Sequence, residues 1–403
     1  MFRITASEQW YIILPLAICL AVTTHVPLLD DAGEPIAESG GGEGLALARA
    51  ALLIGRLDGA VSQISPEIRH LFAIRSVRRA FQTSLAAAGQ PVSLGALTGW
   101  IARTHAAPAA PDATRVPADA LVAVVLDRLQ RWPWPPLADA AALVARACPQ
   151  LLRPLDRTAR ADLARVLAEA DTLFDTPALP APTLPVAALL AAHAHPDFVD
   201  GERGTATIAS PTGAVVIETR GAIAHVWALG LAAPAALARA SWSRGALPLF
   251  GSVPRRCLRP GLGPEAVTRH WAEALAYTAE ASLSDLDDAL QMERHARGAL
   301  TTRRHSRAID AWALLAGLGA LRRSQLAAAL GLTLAGADQA LARLSEAGLI
   351  RRPDSRGPYI ATTTSPAPAP PRAIAAPPSQ AAAEVDAALA DIDRLLGNTD
   401  EEA

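Results

Sequence analysis

Two stretches of this sequence hold side chains whose types and spacing can do chemistry. In the first, arginines crowd around one short segment, Leu326–Ile350: Arg303, Arg304 and Arg307 precede it, Arg322 and Arg323 adjoin it, and Arg351, Arg352 and Arg356 follow. A guanidinium keeps its charge at any physiological pH and offers a planar fork of N–H donors, which suits phosphate oxygens. Within the segment, Gln339 and Arg343 have the donor patterns that can also tell one base edge from another. The second stretch is His193–Gly204, HAHPDFVDGERG. His193, His195 and Asp197 could present two imidazoles and a carboxylate to a metal ion from one loop. An ordinary surface loop is the simpler reading, and no metal or cofactor is expected.

The elements that must position the first group are readable from spacing. Leu326, Leu330 and Leu332 pack a short helix, Gly331 lets the chain turn, and Thr333 caps a second helix whose apolar face is Ala337, Leu341 and Leu344. Gly348 stops that helix, and Leu349 and Ile350 begin a strand. A preceding helix over Arg307–Gly317 places Ile309, Trp312 and Leu315 on one side, with Leu318 just beyond. The run Arg351–Ile360, RRPDSRGPYI, has the Pro, Asp and Gly of a hairpin tip. With its pattern LAxxLGLTxxxxxxxLxxLxxxGLI, the segment Thr302–Thr362 resembles the winged helix-turn-helix domains of bacterial regulators. The resemblance implies that the second helix enters the major groove of double-stranded DNA while the wing touches backbone phosphate. It places Leu334, Gly336, Asp338, Gln339 and Arg343 at the reading positions, of which only Gln339 and Arg343 suit base edges. The DNA-contacting set is therefore Thr333, Gln339, Arg343, Arg322, Arg323, Arg351, Arg352 and Arg356, with backbone attraction outweighing sequence reading. The same fold used for protein contacts is the alternative.

Composition narrows the possibilities. All 37 basic residues are arginine, so a P-loop lysine, a Schiff-base lysine and a Ser-Lys dyad are excluded together. A net charge of -2 gives no global pull toward nucleic acid, so any affinity must come from a local patch. With 51% hydrophobic residues in 403, two or three well-cored domains are expected. Cys19, Cys148 and Cys257 lie far apart, which suggests neither a disulfide framework nor a zinc site.

The rest of the chain reads as a holder. Residues 1–44 comprise an apolar run, Trp10–Leu29, open to reading as a signal, an anchor, a core element or a misplaced start, and a Gly-rich joint. A helical domain follows over 45–195, with helices at Leu45–Val61, Ser65–Ala88, Val92–Thr104, Ala118–Arg131, Leu137–Ala147 and Thr158–Phe174. Trp132–Pro136, WPWPP, should wedge helices together, and Arg69, Arg75, Arg78 and Arg79 read as a solvated helix face. Thr176–Pro185 reads as a Pro-rich linker within that span. A β-meander is expected over 196–232 and a helical connector over 233–301, the latter with helices at Pro234–Ser243 and Gly263–Leu300. Beyond residues 302–362 come a Pro/Ala-rich linker, 363–380, and an amphipathic helix with an acidic tail, 381–403. That helix, or the body, could pair two copies.

The loop His193–Gly204 also resembles a broken version of the Fic-family loop. The resemblance implies His195 as the base, Asp200 as the acidic position and Arg203 as the phosphate clamp of a nucleotidyl transferase. Asp197 is an extra residue against that pattern, Glu202 replaces its Asn, and a Gly is missing. The overall layout is similar to that of uncharacterised alphaproteobacterial proteins with a helical body and a terminal helix-turn-helix. The expected protein is mainly α and cytoplasmic, and it acts on DNA in a regulatory or replicon-maintenance role by binding alone, with no bond made or broken.

Overall fold

In the computed structural model, the described residues are 41–108, 116–153, 156–175, 183–201, 204–210, 213–219, 224–259, 261–300, 307–355 and 357–362. The apolar run at 10–29, Arg203, Arg303, Arg304, Arg356 and everything from residue 363 on lie outside them. The chain divides into two compact units, Met1–Thr362 and Thr363–Ala403. The first is mainly α-helical.

Among the described residues its leading helices are α1 (Gly41–Gln63), α2 (Pro66–Ala87), α3 (Leu94–Ile101), α4 (Ala118–Gln130), α5 (Pro135–Ala147), α6 (Arg157–Phe174) and α7 (Thr183–Ala192). Local chemistry sets several of their ends. Ser65, Ser93 and Asp156 each accept a hydrogen bond from the backbone N–H three residues on, and Pro66 occupies the first turn of α2 where its missing N–H costs nothing. Helix α1 starts inside the expected Gly-rich joint and α7 inside the expected linker, so those two boundaries are corrected.

Helix α2 is the centre of the body. Leu71, Phe72, Ile74, Val77, Phe81 and Leu85 are fully buried along it, against α4, α5 and later helices. The WPWPP turn wedges as expected. Trp132 donates its indole N–H to the Ala246 carbonyl at 2.6 Å and stands edge-on to Phe250, while Trp134 meets Phe72 edge-on at 6.2 Å.

Next come a two-stranded antiparallel hairpin, β1 (Gly204–Ser210) with β2 (Gly213–Thr219), then α8 (Val226–Arg239) and the 36-residue α9 (Pro264–Ala299). The expected meander is thus two strands among the described residues, because Val226–Leu229 belong to α8. Helix α8 also runs straight through Pro234, where a helix start was expected. An interior proline costs about 3 kcal/mol, yet nearly every residue from Val226 to Leu237 is buried, and that burial decides the conformation.

Helix α9 lies along α1 and also packs on α2. This overturns the reading of the α2 arginines as a solvated face. Arg75 pairs with Asp285 and Asp288 of α9, and Arg79 donates to Ser282 Oγ and the Ala281 carbonyl at 2.9 and 3.1 Å. Arg69 turns back to the Ser62 and Ile64 carbonyls. Burial, with Arg75 and Arg79 close by, pulls the Arg78 guanidinium down to about 10.

The remaining elements are α10 (Ala308–Leu318), β3 (Ala320–Leu321), α11 (Arg323–Leu330), α12 (Leu334–Glu346), β4 (Ile350–Arg351) and β5 (Tyr359–Ala361). The strands form one antiparallel sheet in the order β3-β5-β4, with Ala320 opposite Ile360 and Arg351 opposite Ile360 on its other side. Gly331 ends α11 at φ 64° and Gly348 follows α12 at φ 71°, both left-handed positions that favour glycine. Thr333 caps α12 by accepting from Gly336 N at 3.1 Å. Helix α10 packs on α2 and α11 on α5, so Leu326, Leu341 and Leu344 share one continuous core with Phe72 and Leu137.

Candidate nucleic-acid interface

Helix α12 has two contrasting faces. Ala337, Leu341 and Leu344 are buried against α10 and α11, while Thr333, Leu334, Ala335, Asp338, Gln339, Ala342 and Arg343 are exposed. That alternation follows the 3.6-residue period, with the outer residues one turn apart. The helix packs chiefly on α10, α11 and β4.

The hairpin β4–β5, which follows α12, carries two arginines. Arg351 and Arg352 are both exposed. The Arg352 guanidinium stacks over the Tyr359 ring at 4.9 Å and its Nε donates to the Gly357 carbonyl at 3.2 Å, which holds the group at the tip while leaving most of its fork outward.

Arg323 forms a solvent-exposed pair with Asp338 at 3.0 Å. An unpaired Asp338 would meet phosphates with the wrong sign, and here its charge is matched from α11. Arg322 has another job. Its Nε and Nη2 donate to the Ala102 and Arg103 carbonyls at 2.9 and 3.0 Å, so this expected DNA contact is committed to the helical body. Arg307 pairs with Asp310 at 3.0 Å, off to the side on α10. Among the described residues of this surface, Arg323, Arg343, Arg351 and Arg352 are set against Asp338, Glu346 and Asp354 in charge, a small positive excess. No family model and no curated protein matches this chain.

A residue that sequence reasoning passed over organises the junction. Gln325 is buried. Its Oε1 accepts from Arg322 N at 2.9 Å, while its Nε2 donates to the Ile101 carbonyl at 2.7 Å and to Cys148 Sγ at 3.2 Å. The signal available was its place at the third position of a helix, where a Gln side chain reaches back to the cap backbone. Cys148 lies in the same seam and burial pushes its thiol up to about 12, as it does that of Cys257, which favours the neutral thiol in both.

In the second chemistry-bearing stretch His195 lies against Asp197, its Nδ1 accepting from Asp197 N at 3.3 Å, while the other side chains turn to separate partners. His193 Nε2 meets the Cys257 carbonyl at 2.7 Å, Asp197 is held by Arg165 at 2.8 Å, and Asp200 is held by Arg255 and accepts from Ala224 N. The Arg165 guanidinium keeps the Asp197 carboxyl below its usual range. No metal-ligating group of three forms among the described residues, and the loop leads into β1 in place of a helix.

Burial lowers the pKa of His70 on α2 and of His225 just before α8 below the ordinary imidazole value. The folded state therefore resists a proton that the unfolded chain accepts, so stability is complete above about pH 6.5 and is lost as pH falls through that range. We predict a falling melting temperature between pH 7 and pH 5, before the carboxylates titrate. His70→Gln should flatten the fall; an unchanged slope in that variant would contradict the assignment.

Proposed function

We propose that α10–β5 is a winged helix-turn-helix that holds double-stranded DNA, with α12 in the major groove, β4–β5 against the backbone, and the helical body as its support. The role is regulatory or replicon-maintenance in kind and binding is its whole action, in the cytoplasm where DNA is met. One observation supports the reading: the outer face of α12 is exposed, and so are Arg351 and Arg352 of the hairpin that follows it in the chain. Phosphates would be met by Arg343, Arg351 and Arg352, and Gln339 has the geometry for an adenine edge. No helix among the described residues is long and apolar enough to cross a membrane.

Exposed Leu334, 49% accessible, with Ala335 and Ala342 on the same face, favours a second reading in which this helix docks on a protein. The two separate in a salt titration of the full chain with random duplex. The DNA reading expects log affinity to fall linearly with log salt, with a slope of roughly -2 to -4, given the small charge excess. Absent or salt-insensitive binding would leave the protein-docking reading.

A further inference from the structure

We infer, resting on the DNA reading above, that the helical body holds the duplex as well: Arg103, just beyond the end of α3, contacts a backbone phosphate outside the winged module. The contact surface then runs across the junction from α12 onto the body.

The junction itself places Arg103. Arg322, which precedes α11 as its N-cap, donates from Nε to the Ala102 carbonyl at 2.9 Å and from Nη2 to the Arg103 carbonyl at 3.0 Å. Gln325 adds a bond to the Ile101 carbonyl at 2.7 Å, so the turn after α3 is fixed to the start of α11. The next residue after Arg322, Arg323, reaches Asp338 on the outer face of α12 at 3.0 Å. The start of α11 therefore borders both that face and the turn that carries Arg103. A helix seated in the major groove, which is about 12 Å wide, has a phosphate strand rising on either flank. On the α11 side of α12, that strand runs past the turn.

The Arg103 side chain is set up for an anion. It is exposed, and its Nη2 donates to Oε1 of Gln150 at 2.7 Å. Gln150 is neutral, so this bond fixes the guanidinium without cancelling its charge. Arg160 and Arg165 on the same body are by contrast paired with Asp127 and Asp197. Residues 109–115, outside the described ones, contain Asp112 and Arg115 and carry no net charge. Nε and Nη1 of Arg103 take no part in the Gln150 bond and can meet phosphate oxygens. The backbone is held as firmly. Arg103 has φ 59°, a left-handed state uncommon away from glycine, and its N–H donates to the Trp100 carbonyl at 3.0 Å. The bonds from Arg322 hold the turn in that state. A guanidinium ordered before DNA arrives loses less freedom on binding.

The test is duplex binding against salt with the full chain, using a random duplex long enough to overrun α12 on both sides. Arg103→Asn removes the charge and keeps a residue that tolerates the left-handed turn. It should weaken binding roughly tenfold at low salt and lower the log–log salt slope by about 0.9. Arg103→Gly, free of strain at that φ, should give the same reading, which separates lost charge from a fold defect. Arg103→Lys should restore the slope, a recovery that a structural role alone would not produce. Arg351→Ala reports on the DNA reading itself. If it lowers the slope while Arg103→Asn and Arg103→Gly leave slope and affinity at parental values, the body contact is overturned and the DNA reading stands. If the parent shows no salt-dependent binding, both are overturned.

Discussion

Replacing Arg343, Arg351 and Arg352 together by alanine is expected to abolish duplex binding at physiological salt while leaving the melting temperature within about 2 °C of the parent. The size of the effect follows from the charge balance on the outer surface. Among the described residues four guanidiniums there oppose three carboxylates, and Arg323 is matched by Asp338. Removing three leaves one guanidinium against three carboxylates among the described residues, which strips the surface of its positive excess there. Each single replacement should lower the log–log salt slope by about 0.9 and weaken binding roughly tenfold at low salt. Gln339→Ala is the internal contrast, because an uncharged side chain releases no counterion. Its slope should be unaltered while discrimination among sequences falls, by about 1–3 kcal/mol at the affected base pair. If the triple variant keeps the parental affinity, α12 and the hairpin are not where DNA is held.

How much of this was legible in the sequence depends on how far apart the cooperating residues lie. Thr333, Gly331 and Gly348 were readable because a cap or a left-handed turn is settled within three or four residues. The apolar stripe Ala337, Leu341, Leu344 was readable for the same reason, as was Ser65 before Pro66. The tie of Arg322 to the helical body is not legible in the sequence, since its acceptors at Ala102 and Arg103 are more than 200 residues away in the chain. Arg75 and Arg79 looked solvated because their partners sit on α9, likewise about 200 residues on. Pro234 inside α8 shows the opposite failure, in which a strong local signal is overridden by burial on several sides. Charge alone never told which arginines face water; only packing does.

That packing leads to the second large effect, Gly317→Ala. A Cβ at Gly317 would sit 2.4 Å from Ile74 Cγ2 and 2.8 Å from Ile74 Cβ. A rotamer change can move the first atom but not the second, which is fixed to the backbone of α2. Ile74 is fully buried, so α2 has no room to retreat either. The substitution must push α10 off the body, at a cost of about 3 kcal/mol. Two linkages tie the same seam: Gln325 to Ile101 and Cys148, and Arg146 to the Ala329 carbonyl at 3.3 Å. Gln325→Leu should cost a similar 2–4 kcal/mol, because it strands the Ile101 carbonyl and the Arg322 N–H in a buried place. If α10–β5 were an independent domain on a tether, both variants would leave the body's transition untouched and give a second, separate melt. With one core running through Phe72, Leu137, Leu326 and Leu341, each variant should instead shift a single cooperative transition by several degrees, read by calorimetry. Two resolved transitions in Gly317→Ala would show that the helical body folds without the elements it supports.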